Sequence, residues 1–197
     1  MDFTNTTVIV LTIIATLMIG GWIGVTLSRA ARTKRLQKKF GPEYDHAVAE
    51  LGDASQAENE LAIRLKHIHA LDIHPLSAEA VENFTAQWQE NQVEFVDDPL
   101  TATQQAYELI SDVMLEKGYP VEDFEQQAAD ISVDYPELVK DFRGLHSIIV
   151  KDREKPASTE EMRRAMLHGR DLFNRLIQND EPVKVKEVNR NDKEKLK

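Results

Sequence analysis

Residues Asp98 to Gly118 read DPLTATQQAYELISDVMLEKG. Asp98 followed by Pro99 is a cap and first-turn pair, because an aspartate accepts from free backbone N–H groups and proline's fixed φ suits the first helical position. Leu100, Thr103, Ala106, Tyr107, Ile110, Val113 and Met114 then recur in steps of three and four, and Gly118 stands where a helix closes through a left-handed residue. The stretch is an amphipathic helix with both ends marked.

The same spacing recurs on either side. Upstream, Leu36 begins a face that continues through Phe40, Tyr44, Ala47, Val48 and Leu51. After Gly52 and a cap at Asp53 it resumes at Ala57, Leu61, Leu65 and Ile68, and Ser77 caps a segment with Val81, Phe84, Trp88 and Phe95 on one side. Downstream, a shorter helix carries Phe124, Ala128 and Ile131, and Asp134 with Pro136 is expected to start one bearing Leu138, Phe142, Leu145 and Ile149. The run Ser158-Thr159-Glu160-Glu161 has capping-box spacing ahead of Met162, Ala165, Met166, Phe173, Leu176 and Ile177. Pro42, Pro75, Pro99, Pro120, Pro136, Pro156 and Pro182 all fall at the boundaries, and no strand-like alternation interrupts the pattern.

At the N-terminus, Val8 to Leu27 read VIVLTIIATLMIGGWIGVTL, twenty positions without a charge. Twenty helical residues span roughly 30 Å, the hydrocarbon thickness of a bilayer. Arg29, Arg32, Lys34, Arg35, Lys38 and Lys39 follow, and since Lys and Arg stay on the cytoplasmic side they place the N-terminus outside and the body of the chain inside. The segment MDFTNTT carries no positive charge and the apolar run is long, which favours an uncleaved anchor over a signal peptide. Gly20 and Gly24 have the small-xxx-small spacing through which membrane helices associate. The expected fold is all-α, one N-terminal transmembrane helix followed by an irregular bundle of six or seven helices. The expected domains are 1-7, a short extracytoplasmic N-terminus; 8-27, the transmembrane helix; 28-40, a basic juxtamembrane segment; 41-178, an acidic helical domain; and 179-197, a disordered charged tail.

Composition narrows the function. The chain has no Cys, so disulfides, a thiol nucleophile and Cys-ligated zinc are excluded. The formal charge of −10 conceals a segregation: positions 41-178 hold 28 acidic against 12 Lys and Arg residues. Such a body repels polyanions, which argues against nucleic acid as a partner. His67, His69 and His74 crowd one helix end, but residues two apart on a helix diverge by about 200°, so a shared metal ion is not expected. His46, His146 and His168 have no metal-ligand or catalytic spacing around them. The pairs Asp97-Asp98 and Glu122-Asp123 sit where helices begin and read as caps. No phosphate loop, nucleophile elbow, kinase or EF-hand pattern is found, so no cofactor and no catalytic residue is assigned and the chain is read as a non-enzyme.

The runs Lys38-Lys39-Phe40-Gly41-Pro42-Glu43-Tyr44-Asp45 and Tyr119-Pro120-Val121-Glu122-Asp123-Phe124-Glu125-Gln126-Gln127-Ala128-Ala129-Asp130-Ile131-Ser132-Val133-Asp134 resemble an uncharacterised bacterial family of acidobacteria and actinobacteria. The resemblance extends from Arg35 to about Leu176. Its members look like small proteins with one transmembrane helix and an all-helical domain, so it implies a bacterial origin and a recurrent use for the Tyr119 to Asp134 segment; with the basic residues after Leu27 that means the bacterial inner membrane, and the resemblance carries over no activity.

The reading that follows is a membrane-tethered cytoplasmic interaction or scaffolding module whose partners are the lipid bilayer, an unidentified protein and a second copy of its own transmembrane helix. Two alternatives stay open. One is a membrane-bound ligand sensor or enzyme with a pocket between helices near Tyr119, Asp123, Asp130 and His146; the other is an extracytoplasmic envelope-structural protein.

Overall fold

The computed structural model describes the backbone of residues 3–151 and 157–178, and side chains over 16–150 and 157–178. Every element among them is a helix: α1 (Phe3–Phe40), α2 (Pro42–Leu51), α3 (Ala54–Ala70), α4 (Ala78–Glu94), α5 (Pro99–Glu116), α6 (Phe124–Asp134), α7 (Val139–Lys151) and α8 (Thr159–Ile177). The all-α expectation holds, with seven helices after the first. Pro156, Pro182 and the segment 179–197 lie outside the described residues. The chain divides within α3 into two compact units, Met1–Ala62 and Ile63–Lys197.

The first unit forms where the anticipated face of Leu36, Phe40, Tyr44 and Ala47 meets Ala57 and Leu61, all buried. Two left-handed glycines make its corners: Gly41 (φ 50°) separates α1 from α2, and Gly52 (φ 70°) closes α2 by donating to the Val48 carbonyl at 2.9 Å. Asp53 then accepts from the Gln56 N–H at 2.8 Å, as a cap should. Glu58 gathers the polar side of the unit. It accepts from the Thr33 hydroxyl at 2.6 Å and the Tyr44 hydroxyl at 3.2 Å, while Arg32 donates to the Glu58 carbonyl and to Asn59.

Upstream of that packing, Leu17, Met18, Ile19, Trp22, Ile23, Val25 and Leu27 of α1 are all exposed. Among the described residues no helix is long and apolar enough to cross a membrane. Positions 8–15 of the anticipated span lie outside the residues whose side chains are described, and 16–27 alone make only about 18 Å of helix.

The second unit is built on α5, which packs against α4, α7 and α8, while α7 also contacts α6 and α8. Ala102, Ala106, Ile110, Val113 and Met114 are fully buried there, together with Phe142, Leu145, Leu172 and Leu176. Trp88 of α4 stacks on Phe173 of α8 with ring centroids 4.6 Å apart. The anticipated caps form: Asp98 accepts from the Thr101 N–H, Ser77 from the Ala80 N–H, and Ser158 and Glu161 complete a capping box. Hydrogen bonding to Thr101 holds the Asp98 carboxyl below its ordinary range.

Two expectations are corrected. Asp134 does not start a helix; it is the last residue of α6, and α7 begins at Val139 after the Tyr135–Leu138 turn. Its carboxylate is taken by the Tyr119 hydroxyl instead of by backbone N–H groups. Asp123 occupies the N-cap position of α6 yet makes no side-chain cap bond.

The end of α5 is closed by a Schellman motif in which Gly118 donates to Leu115 and Tyr119 to Met114, at 2.9 and 3.0 Å. Gly118 has φ 94°, and a Cβ there would stand 2.5 Å from the Asp72 carbonyl oxygen. Gly118→Ala therefore combines left-handed strain with a backbone clash, and is expected to cost at least about 2 kcal/mol in urea unfolding, with the midpoint moved to lower denaturant.

Candidate functional site

Helix α6 carries three of the seven buried polar or charged residues among the described ones, Gln127, Asp130 and Ser132. Its Asp130 and Asp134 are one turn apart, so both carboxylates lie on neighbouring parts of one face. Around them the fold brings the end of α3, with Arg64 and His67, and the end of α5, with Lys117 and Tyr119.

Asp130 is fully buried. Its Oδ1 accepts from the Gln126 amide at 2.8 Å and lies 3.6 Å from His67 Nε2, too far for a hydrogen bond but close enough for attraction. Its Oδ2 and the His67 Nε2 have no hydrogen-bond partner. Burial pushes the Asp130 carboxyl up to about 6, with nearby Asp134 adding to it and Gln126, His67 and Arg64 opposing it. The group exchanges its proton near neutrality.

Tyr119 donates from its hydroxyl to Asp134 at 2.7 Å, and burial followed by the Asp134 charge raises its ionisation far above the ordinary value. It is a fixed neutral donor. Lys117 is 2% exposed; its ammonium donates to the Leu176 carbonyl at 3.0 Å and so satisfies one of the free acceptors ending α8. Burial lowers the Lys117 pKa, and Asp134 opposes that shift. Arg64 donates to the Ser132 hydroxyl at 3.3 Å.

Of the four residues read as lining a pocket, the fold gathers Tyr119 and Asp130 in this cluster and sends the other two elsewhere. His146 of α7 stacks on Phe124 with centroids 3.6 Å apart and lies near Tyr107. Burial lowers its pKa and keeps the ring neutral. Asp123 is exposed at the opposite end of α6, seven positions from Asp130 and so about 10 Å away along the axis. Buried Gln127 ties this end together, donating to the Val121 carbonyl and accepting from the Tyr107 hydroxyl.

The remaining candidates are dispersed. His69 is exposed, and His74 joins the connection against α5 through its backbone N–H to the Lys117 carbonyl at 3.0 Å. Among the described residues no group of three or more His, Asp or Glu is placed to hold a metal ion. Arg29, Lys34, Arg35 and Lys38 are exposed and Lys39 is half-buried, whereas Arg32 is engaged with Glu58 and Asn59. Gly20 and Gly24 face open space on α1. The sequence alone assigns no role to Lys117 or Gln126 and marks Asp134 only as a helix start; Lys117 and Asp134 take their roles from partners outside their own helices, Leu176 and Tyr119. The one local signal was the i, i+4 relation of Gln126, Asp130 and Asp134.

Comparison with protein-family models, with curated proteins and with solved structures found no match.

The raised Asp130 carboxyl fixes a sign. A group whose folded pKa exceeds its unfolded value costs stability above the folded value, and the cost fades as pH falls toward the unfolded one. Asp130→Asn is expected to gain on the parent chain as pH rises from about 4 to 7, by on the order of 1–3 kcal/mol at the upper end. Paired urea denaturations at pH 4.5 and pH 8 read this directly; an equal effect at both would contradict the buried-carboxyl account.

Proposed function

We propose that this chain is a membrane-tethered helical interaction module, held by residues 8–27 in a bacterial inner membrane with its acidic body on the cytoplasmic side. The observation that carries the reading is the run of exposed large apolar side chains from Leu17 to Leu27 on α1, the C-terminal part of the uncharged sequence Val8 to Leu27. Each such group gains about 1.5–3 kcal/mol when removed from water. A bilayer removes them all at once.

The basic residues after Leu27 supply the orientation. Arg29, Lys34, Arg35 and Lys38, exposed on the helix, are available to anionic lipid at about 1 kcal/mol each near the surface. Gly20 and Gly24, with nothing within 4 Å of a Cβ there among the described residues, offer a second copy a face for close helix approach. The body supports an interaction role because α5 sits in a tightly filled core and its caps are satisfied, a rigid platform for a protein partner.

The full chain is expected to stay with membranes through an alkaline carbonate wash, and a variant lacking positions 8–27 to appear in the wash. A reporter active only in the cytoplasm, fused after Lys197, is expected to work. Release of the intact chain by carbonate would overturn the tether, and a silent reporter beside a retained chain would reverse the orientation.

A further inference from the structure

The extensive helix packings of the second unit are those of α5 with α4, α7 and α8 and of α7 with α6 and α8; the last two turns of α3, residues 63–70, have none of that extent. Polar side chains join them to α6. Arg64 makes a long hydrogen bond of 3.3 Å to the Ser132 hydroxyl, and His67 Nε2 stands 3.6 Å from Asp130 Oδ1. Beyond this end the chain is tied down again, where the His74 N–H donates to the Lys117 carbonyl.

The contact of His67 with Asp130 is incomplete. Asp130 Oδ2 and His67 Nε2 are both buried without a hydrogen-bond partner among the described residues, while Oδ1 accepts from the Gln126 amide. Each orphan is costly where it stands. Closing the gap by under about 1 Å makes one hydrogen bond of the two groups, whichever of them carries the proton. The His67 side chain is 38% exposed although its Nε2 is buried, so solvent reaches the ring from its other edge. The ring gives a proton a route to a carboxyl that has no surface of its own.

The other charges nearby do not replace that proton. Arg64 of α3 attracts the Asp130 carboxylate, and Asp134, one turn further along α6, repels it. Asp134 is bonded to Tyr119, a neutral donor, and the Lys117 ammonium is engaged by the Leu176 carbonyl. On α7, Asp141 pairs with His168 of α8 at 3.1 Å, His146 stacks on Phe124, Lys140 is exposed and Arg143 is partly exposed. With the proton gone from the pair, a neutral ring faces a fully buried anion, a state that burial disfavours.

We propose that His67 and Asp130 form a proton-operated latch, which fastens the last two turns of α3 to α6 while the pair holds a shared proton and lets them open when that proton leaves. Opening gives the carboxylate access to water and uncovers Ile68, which is 6% exposed in the closed arrangement. The latch lies within the second unit and does not depend on the membrane tether.

The test is amide hydrogen exchange of the detergent-solubilised full chain, corrected for the intrinsic rate. Residues 63–70 are expected to exchange faster than α8 at every pH, because their end opens without global unfolding, and their protection to fall about tenfold between about pH 5 and 8. His67→Gln is expected to move the Asp130 carboxyl titration, followed by carbon-13 NMR, up by about half a unit or more. His67→Lys, a cation over this whole range, is expected to move it down and to keep residues 63–70 protected throughout. If His67→Gln loses its circular dichroism, His67→Lys and the parent profile carry the same test. Exchange of residues 63–70 no faster than that of α8, a profile independent of pH in the parent chain, or a carboxyl moved in the same direction by both substitutions would overturn the latch.

Discussion

Four helices of the second unit meet at a residue that has no side chain. A Cβ on Gly169 of α8 would stand 3.3 Å from Leu145 of α7, 3.6 Å from Trp88 of α4 and 3.7 Å from Ile110 of α5. This close approach brings Phe173, one turn further along α8, onto the Trp88 ring. Protein interiors are packed near crystal density, so a meeting point of this kind sets the separation of every helix around it. A side chain at this position would have to displace Leu145 first, and Trp88 and Ile110 leave it little more room.

Once the helices are placed, the polar groups at their ends have little choice. Lys117 is carried under the last turn of α8 and finds the Leu176 carbonyl; Tyr119, following Gly118, is carried to Asp134. Both bonds are made by residues adjoining the turn that ends α5. Asp130 is the group least well served, with one oxygen bonded and the other not. Keeping such a carboxyl in a core costs stability at neutral pH, a cost that marks the α6 face as the part of this unit under chemical constraint.

Much of this was legible in the letters. The Asp98-Pro99 start and Gly118 stop of α5, the Ser158 capping box and the Asp53 and Ser77 caps are local signals in which a side chain bonds backbone a few residues away, and each forms as read. Faces were legible in the main: Ile148, not Ile149, is the buried member of its pair, and Leu51, read on the face that begins at Leu36, is exposed. What failed was partner choice. Asp134 carries the mark of a cap, yet an approaching Tyr119 hydroxyl competes for its carboxylate, and Asp123 and His146 share a helix end that sequence proximity cannot separate from Asp130.

Helix α1 runs unbroken from Phe3 to Phe40, and its last turns are stitched to the first unit by Thr33 and Arg32 on the Glu58–Asn59 segment and by buried Leu36 and Phe40. No hinge intervenes between the apolar half of the rod and the part that is bolted down. A twist or tilt imposed on the N-terminal half, over some 57 Å of helix, is therefore delivered as torque to α2 and the start of α3 instead of being absorbed in a slack linker.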